Sequence, residues 1–284
     1  MTDPSLSQEI VTIIQRSLAE DIGDGDITTQ CTVGEDLWLS GSLVARAEGV
    51  IAGLEVAALV FRLLDERVAF ESMAADGDPV APKQVLARLR GPGRALLTGE
   101  RTALNLLQRI SGIATATRSY VQAVSGTRAV ILDTRKTAPG LRAIDKLGVR
   151  LGGGQNHRLG LYDMALIKNN HIAAVGGNLT EAVRRVRLGD PRQRPVEIEV
   201  RSLDELRQAL ELQVDRVLLD NMDAGQLRQA VLITAGRISL EASGGITLEN
   251  VSEIARTGVD YISVGALTHS VKALDISLWI DSNK

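Results

Sequence analysis

The chain has 284 residues and one cysteine, Cys31, so no internal disulfide can form and a reducing cytoplasm is the expected setting. Its 32 basic and 35 acidic residues give a formal net charge of −3, which disfavours nucleic acid and anionic membranes as partners. Aromatic residues make up only 2% of the chain, too few for a surface that stacks bases, and no apolar stretch is long enough to span a membrane. The composition therefore favours a soluble enzyme of the cytoplasm.

The chain opens with a predicted helix and an acidic turn. Ser5 and Gln8 have the spacing of a capping box, and apolar residues on one face predict an amphipathic helix that continues to Leu18. The stretch EDIGDGDITT (20–29) predicts a turn, and since its aspartates lack the spacing of an EF-hand we assign it no role. Cys31 has no basic neighbour in the sequence and is expected to be inert.

The segments that follow alternate between strand and helix patterns. We predict strands within 39–53 and 82–91, a helix over 56–64 and a longer helix from Thr98. Residues 1–114 are therefore assigned to an N-terminal α+β domain. The longer helix has an expected buried stripe at Ala103, Leu106, Leu107, Ile110 and Ala114.

The second part of the chain repeats a short β-branched run followed by a helical pattern. The runs lie at 128–133, 164–168, 195–200, 215–219, 238–242 and 260–264. GVRL (148–151) is a candidate for a seventh strand. Repeated βα units predict a parallel sheet, and their number, without a glycine motif for a dinucleotide, favours a barrel over an open doubly wound sheet.

A polar residue ends nearly every one of these predicted strands. These residues are Asp133, Lys168, Glu199, Asp220 and Ser243. Strand ends are commonly polar, which explains any single one of them, but barrel active sites are built at the carboxyl ends of the strands. Five such residues in succession favour a site at that end of the barrel.

The window from 133 to 172 is strongly basic. It contains seven arginines and lysines against three aspartates, a net charge of +4 in a chain whose total is −3, and two of the three histidines. A solvated helix face explains Arg142, Lys146 and Arg150, which lie at helical spacing. A solvated face does not explain Arg135 and Lys136, which directly follow a predicted strand. It also does not explain His157 and Arg158, which follow three glycines. Because arginine binds carboxylate and phosphate with two donors, the window predicts a clamp for a small, multiply anionic substrate.

Longer motifs follow one another in order from EDIGDGDITT almost to the C-terminus. They are TGERTALNLLQRISGIAT (98–115), DTRKTAPGLR (133–142), GGGQNHRLGLYDMALIKNNHI (152–172), LLDN (218–221), EASGGI (241–246) and GVDYISVGALTHS (258–270). This ordered series resembles that of the quinolinate phosphoribosyltransferase family.

The resemblance implies an α/β fold with an N-terminal α+β sandwich domain (1–114) and an incomplete α/β barrel of about seven strands (115–272), with 273–284 packing back on the first domain. It implies transfer of a phosphoribosyl group from phosphoribosyl pyrophosphate to quinolinate, with Mg²⁺. The products would be nicotinate mononucleotide, pyrophosphate and carbon dioxide, in NAD biosynthesis. It also implies a homodimer, or a hexamer built from dimers, in which the neighbouring subunit completes each barrel mouth.

The resemblance implies five cationic contacts to the two carboxylates of quinolinate. They are Arg135, His157, Arg158, Lys168 and, from the neighbouring subunit, Arg101. On the sequence alone, the helix face that Arg101 shares with Asn105 and Gln108 could equally be solvated, and Lys168 could form a Schiff base. Asn169 stands where the family commonly has aspartate, which is expected to make the pocket more positive and to bear on the orientation of Lys168.

Glu199 and Asp220 end neighbouring predicted strands and, with Lys168, are the implied catalytic residues. Carboxylate oxygens suit a Mg²⁺ ion that also binds substrate phosphates, and they would equally hold ribose hydroxyls. Glu197 shares the strand face of Glu199, and the choice between them rests on the separation from Asp220 that the family keeps. An ion pair is the ordinary structural alternative for either one.

Two glycine-containing loops follow the last two predicted strands. Backbone N–H groups of such loops often bind phosphate in barrels, although a tight turn is the ordinary explanation of a Gly-Gly pair. The resemblance implies that they bind phosphoribosyl pyrophosphate together with Glu199 and Asp220. The other residues of this implied set are Lys136, Ser243, Gly244, Gly245, Gly265, Ala266 and His269.

Two other functions stay open at this point. One is that of a paralogue of the same fold with a different substrate, of the type linked to molybdate transport. The other is that of a phosphate- or nucleotide-binding oligomer without catalysis. Intact TRKT and NHR motifs argue against the first, and the presence of Lys168, Glu199 and Asp220 argues against the second.

Overall fold

The computed structural model describes residues 7–281. Up to Ala123 its elements are α1 (Gln8–Ile22), α2 (Ile27–Thr32), β1 (Trp38–Ala45), β2 (Gly49–Val50), α3 (Leu54–Leu64), β3 (Ala69–Ser72), β4 (Pro79–Val80), β5 (Val85–Pro92) and α4 (Gly93–Ala123). From Val130 they are β6 (Val130–Leu132), α5 (Arg142–Leu151), β7 (Ala165–Ile167), α6 (Asn169–Ala174), α7 (Leu179–Gly189), β8 (Val196–Val200), α8 (Leu203–Leu210), β9 (Arg216–Asp220), α9 (Ala224–Thr234), β10 (Ser239–Ser243), α10 (Val251–Ala255), β11 (Tyr261–Ser263), α11 (Ala266–His269) and β12 (Ile276–Ile280).

The chain divides into two compact units whose limits differ from the predicted 1–114 and 115–272. The first unit contains the residues up to Arg118, Thr137–Gly153 and the residues from Leu267 on. The second unit contains Ser119–Lys136 and Gly154–Ala266. The chief difference is α5, which joins the first unit because Ile144 packs into that unit's core and Asp145 accepts a hydrogen bond of 2.7 Å from Arg109 Nε of α4.

The first unit is built on an antiparallel sheet with the strand order β12-β1-β5-β3. The C-terminal strand β12 pairs with β1, with Leu278 opposite Leu43. Apolar side chains of α1, α3 and α4 form the core, and the predicted stripe of α4, from Ala103 to Ala114, is buried as expected. Apolar burial of this kind is the main stabilising contribution to such a unit.

Three local predictions in this unit need correction. The first helix runs on to Ile22 rather than ending at Leu18, and its predicted cap at Ser5 lies outside the described residues. The acidic stretch 20–29 ends inside α2, whose first turn is capped by Asp26, which accepts an N–H of Thr29 at 2.9 Å. The basic face of α5 is not simply solvated, because Lys146 is only 1% exposed.

The second unit is built on a parallel sheet with the strand order β6-β11-β10-β9-β8-β7. Its six strands are the six predicted runs, with helices between them, so the barrel-like α/β fold is confirmed. The expected seventh strand is wrong, because GVRL lies in α5. A single parallel bridge between Leu132 and Gln155 extends the sheet beyond β6. Among the helices described over 7–281, none is long and apolar enough to cross a membrane.

Alternation along the strands places charged residues together on one face of this sheet. In β8 the buried Val196, Ile198 and Val200 alternate with Glu197 and Glu199, so the two glutamates share the other face. The parallel register sets Glu197 opposite Arg216 of β9. We call this charged side of the sheet the inner face.

Candidate active site

The carboxyl ends of the parallel strands bring many of the predicted site residues to one edge of the sheet. Across that edge, β6 is followed by Arg135 and Lys136, β11 by Gly265 and Ala266, β10 ends at Ser243 before Gly244 and Gly245, β9 ends at Asp220, β8 carries Glu199, and β7 is followed by Lys168. The glycine loops thus lie on neighbouring strands, and so do the two carboxylates.

Two arginines form the most strongly cationic part of this edge. Burial and the like charge of Arg135 both lower the pKa of Arg158. Among the residues described, Arg135 Nε is buried and has no hydrogen-bond acceptor, while Arg158 Nη1 donates to the Met164 carbonyl at 3.1 Å. Buried donors without acceptors are rare, so this pair is arranged for an anion.

Each of the two predicted metal carboxylates is held by an asparagine. Asn169 donates to Glu199 Oε1 from its side chain and, at 3.4 Å, from its backbone N–H. Asn221 Nδ2 donates to Asp220 Oδ1 at 3.0 Å, and Arg201 Nε lies 3.9 Å from Asp220 Oδ2. Asn169, singled out because the family commonly has aspartate there, therefore orients Glu199.

The loop after β10 has a conformation that lets a ligand approach its backbone closely. Gly244 and Gly245 both have positive φ angles, 95° and 62°. A Cβ atom added to Gly244 would lie 2.2 Å from Oδ1 of Asn221, the residue that also orients Asp220. Asn221 in turn donates its N–H to the Ser243 carbonyl at 2.8 Å. Only glycine fits this position, and the loop and the carboxylate are coupled through Asn221.

We expect Gly244→Ala to impair the site more than the fold. The added methyl group must displace the Asn221 side chain and hold a left-handed backbone, so the affinity for a phosphorylated substrate should fall by about tenfold or more. Gly236→Ala is the matched control, because Gly236 has a φ of 74° with nothing within 4 Å of its Cβ position. Equal affinities of the two variants, measured by calorimetric titration, would contradict this expectation.

A second polar group is buried on the inner face of the sheet. His157 Nε2 lies 3.0 Å from Glu197 Oε2 and 3.3 Å from Glu241 Oε2, and Arg216 Nη1 lies 3.2 Å from the same Glu241 oxygen. The Arg216 guanidinium also lies 4.0 Å from the centroid of the Tyr261 ring. We call His157, Glu197, Arg216 and Glu241 the inner cluster.

The inner cluster is charge-balanced when it carries one shared proton. Burial opposes a charge on His157, but the Glu197 and Glu241 carboxylates that face its ring N–H outweigh burial and raise the pKa of His157 to about 9. Burial and the charge of Glu241 also raise the pKa of Glu197. The Arg158 N–H donates to His157 Nδ1 at 2.7 Å, which an imidazolium N–H would oppose. The proton therefore belongs to the His157–Glu197 pair, and it balances Arg216 against the two carboxylates.

This shared proton predicts that stability falls as the pH rises. The folded pKa lies above the ordinary 6.5, so its contribution is complete below about pH 6.5 and is lost as the pH passes about 9. The groups that face the ring are Glu197, Glu241 and Arg216, with Asp133 and Arg158 at its backbone. A shift from 6.5 to about 9 corresponds to about 3 kcal/mol.

Denaturant unfolding between pH 6.5 and 9.5 measures this change in the free energy of unfolding. The wild type should lose stability across the window, and His157→Gln should show a flatter profile. A wild-type profile that rises, or an unchanged slope in the variant, would contradict the shared proton.

His157, which the resemblance implies as a contact to quinolinate, lies in the inner cluster. The residue is 8% exposed, and both of its ring nitrogens contact protein groups. The buried Asp133 also serves the structure, because its Oδ1 accepts the His157 N–H at 2.8 Å. Sequence reasoning missed Glu241 and Arg216 as parts of this arrangement, although Glu241 stands between apolar residues in the β10 run, which was a usable signal.

Two predicted residues, Arg101 and His269, belong to the first unit. Arg101 is exposed on α4, with Asn105, whereas Gln108 of the same face donates to the Ile276 carbonyl at 2.6 Å. His269 ends α11, and its Nδ1 lies 2.7 Å from Ser270 Oγ. In the second unit, Lys136 and Lys168 are exposed at the carboxyl edge of the sheet.

The parallel barrel-like sheet, with cations, carboxylates and glycine loops at its carboxyl edge, defines an enzyme class that acts on small, multiply anionic substrates. Comparison with known proteins identifies the family. The sequence matches the family "Quinolinate phosphoribosyl transferase, N-terminal domain" over residues 26–111 and its C-terminal domain over 113–279. The chain belongs to the quinolinate phosphoribosyltransferase family.

Individual relatives agree with this assignment. The "Nicotinate-nucleotide pyrophosphorylase [carboxylating]" of Mycobacterium leprae is 50% identical over 93% of this chain and 95% of its own length. The crystal structure of NadC from Streptococcus pyogenes is similar with a TM-score of 0.92 and 40% identity, over 99% of this chain and 100% of that one. The structure of the nicotinate-nucleotide pyrophosphorylase from Francisella tularensis is similar with a TM-score of 0.90 and 40% identity, over 99% of each chain.

Proposed function

We propose that the chain transfers the phosphoribosyl group of phosphoribosyl pyrophosphate to quinolinate, with decarboxylation, giving nicotinate mononucleotide, pyrophosphate and carbon dioxide. This is a pentosyltransferase reaction of NAD biosynthesis. The single observation that carries the proposal is the pair Arg135 and Arg158, whose charges act on each other, with a buried N–H of Arg135 that has no acceptor among the described residues.

Quinolinate brings two carboxylates, and the arginine pair offers them planar donors. Each guanidinium binds a carboxylate through two N–H groups, and the dianion would relieve the repulsion between the arginines. Lys168, exposed at the end of β7, supplies a further point charge at this edge. His157, the other contact that the resemblance implies, also accepts the Arg158 backbone N–H at its Nδ1.

The glycine loops and carboxylates supply the other half of the site. The backbone N–H groups around Gly244 and Gly265 suit a phosphate, with Lys136 in the segment after β6 and His269 at the end of α11 as further cationic groups. Glu199 and Asp220 fit Mg²⁺, because each is a partly exposed carboxylate with one oxygen oriented by an asparagine. When bound, Mg²⁺ would neutralise the charge of the pyrophosphate.

Catalysis then follows from positioning and electrostatics. The bond between ribose C1 and the pyrophosphate oxygen breaks as the pyridine nitrogen bonds to C1, and positive charge develops on the ribose in between. The carboxylate next to that nitrogen then leaves as carbon dioxide. Its bonding electrons stay on the ring carbon, which takes a proton from solvent. Arg135 and Arg158 stabilise the negative charge at this stage, and no covalent nucleophile is required.

The direct test is to mix the purified chain with quinolinate, phosphoribosyl pyrophosphate and Mg²⁺. Nicotinate mononucleotide and pyrophosphate should form in equal amounts, with one carbon dioxide for each. Nicotinate in place of quinolinate should give little product, because it lacks the second carboxylate. No product with quinolinate over a range of pH and Mg²⁺ would reject the assignment.

We also propose that the enzyme works in the cytoplasm as a homodimer or a hexamer built from dimers, with Arg101 reaching the neighbouring site. Its exposure on α4, away from the buried stripe, supports this role.

Arg101→Ala and Lys168→Ala should each be nearly inactive alone if sites are shared. A mixture refolded together should regain about one quarter of wild-type activity, since half of the dimers would carry one intact site. A mixture with no regained activity would contradict a shared site.

A further inference from the structure

We propose that Glu197, Glu241 and Arg216 are positioning residues that fix Arg158, through His157, for binding of the pyridine dicarboxylate. This inference rests on the proposed function, and it assigns a role to buried charged groups that the catalytic scheme leaves unused.

His157 is held on three sides. Its backbone N–H donates to Asp133 Oδ1 at 2.8 Å, and its Nε2 faces the two glutamates at 3.0 and 3.3 Å. Its Nδ1 accepts the N–H of Arg158 at 2.7 Å. A rotation of the ring would therefore break its contacts to Glu197 of β8, to Glu241 of β10 and to the Arg158 N–H together. The ring is fixed, and it fixes the backbone from which the Arg158 side chain extends.

The cluster is an unusual way to fill the inner face if only stability mattered. Glu197 and Glu241 are both 0% exposed. Among the described residues, neither carboxylate oxygen of Glu197 has a hydrogen bond of good geometry, and the same is true of Oε1 of Glu241. Buried ionic groups are often no more stabilising than apolar residues of similar size. Their value lies in orientation, because each charged group has one favourable arrangement of partners.

Arg158 is linked to the cluster by charge as well as by its backbone. The negative charge of Glu197 acts on the Arg158 guanidinium and partly offsets the repulsion from Arg135. Removing that charge would let Arg158 move away from Arg135. The affinity for a dicarboxylate, which needs both guanidinium groups, should then fall.

The same three residues, His157, Glu197 and Glu241, could also hold a metal ion. The position of Arg216 favours the ionic cluster, because its Nη1 lies 3.2 Å from the Glu241 oxygen that faces His157. A guanidinium at that oxygen already supplies the cation that a metal would provide. Metal analysis of the purified chain therefore belongs in the test.

The test compares Glu197→Gln and Glu241→Gln with Leu227→Ala, a control in α9 that loses buried apolar contacts only. The glutamine variants should raise the KM for quinolinate by about tenfold to 100-fold, with a much smaller change in kcat and none in the KM for phosphoribosyl pyrophosphate. Leu227→Ala should lower the melting temperature and leave both KM values unchanged. Arg216→Lys, a milder change, should raise the same KM by a smaller factor.

Histidine NMR gives a readout that does not depend on turnover. The chain has only three histidines, so His171→Gln and His269→Gln identify the signals of His157. The ring nitrogens of His157 should show one protonated Nε2 and one accepting Nδ1, and this pattern should be lost in Glu241→Gln.

Three results would overturn the inference: an unchanged KM for quinolinate in both glutamine variants, an equal KM change in Leu227→Ala, or one tightly held metal ion per chain. An inactive wild type would instead count against the proposed function. The NMR pattern and direct titration with quinolinate would then still test the positioning role.

Discussion

Replacement of Arg158 by alanine should raise the KM for quinolinate by about 100-fold, equivalent to about 2.7 kcal/mol of binding free energy. The change removes two donors from one carboxylate and leaves the other arginine to bind a dianion alone. The KM for phosphoribosyl pyrophosphate should stay within about twofold, because the glycine loops lie on other strands. Steady-state kinetics with each substrate varied in turn measures both constants.

Two matched variants make this result specific. Arg158→Lys keeps the charge but not the planar fork, so it should recover only part of the loss. Arg228→Ala removes an exposed arginine on α9, where it pairs with the exposed Glu253 at 3.4 Å, and should leave the kinetics unchanged. A KM for quinolinate in Arg158→Ala within threefold of wild type, about 0.6 kcal/mol, would remove Arg158 from the clamp.

Replacement of Asp220 by asparagine should lower kcat by about 100-fold to 1,000-fold. The variant keeps the shape of the side chain but loses the charge that we propose for Mg²⁺ and the ribose. Quinolinate binding should be unchanged, and the Mg²⁺ concentration that gives half-maximal rate should rise. Titration of the rate with Mg²⁺ at saturating substrates measures both effects.

The control for this variant is Asp204→Asn, since Asp204 is exposed on α8 and pairs only with Arg207 at 2.6 Å among the contacts described. It should behave as wild type. A full rate in Asp220→Asn with an unaltered Mg²⁺ requirement would show that this carboxylate has no part in the reaction.

Much of the fold could be predicted, because short stretches of sequence show both the β-branched runs of the strands and the polar residues that end them. The six β-branched runs became the six parallel strands, and the residues closing them lie along one edge. The prediction of a strand at GVRL was wrong, because a run of four residues rich in apolar side chains does not distinguish a strand from a buried turn of helix. Its valine and leucine belong to the face of α5 whose neighbours Ile144 and Asp145 are buried.

The catalytic-edge residues were easier to predict than the groups that hold them. Arg135, Lys168 and Asp220 follow strands directly, so the sequence pattern alone brought them to one edge. The contacts of His157 with Glu197 and Glu241 could not be predicted, because these glutamates lie on β8 and β10, with β9 between them. Only the strand order and register show that these side chains meet on the inner face.

The most direct test of the central claim is a crystal structure of the chain with quinolinate bound. We expect one carboxylate of quinolinate to lie on the guanidinium of Arg158 and the other on Arg135 or Lys168, with His157 still between Glu197 and Glu241. Quinolinate bound away from both arginines, or a His157 ring turned out of the inner cluster to bind the ligand, would contradict it.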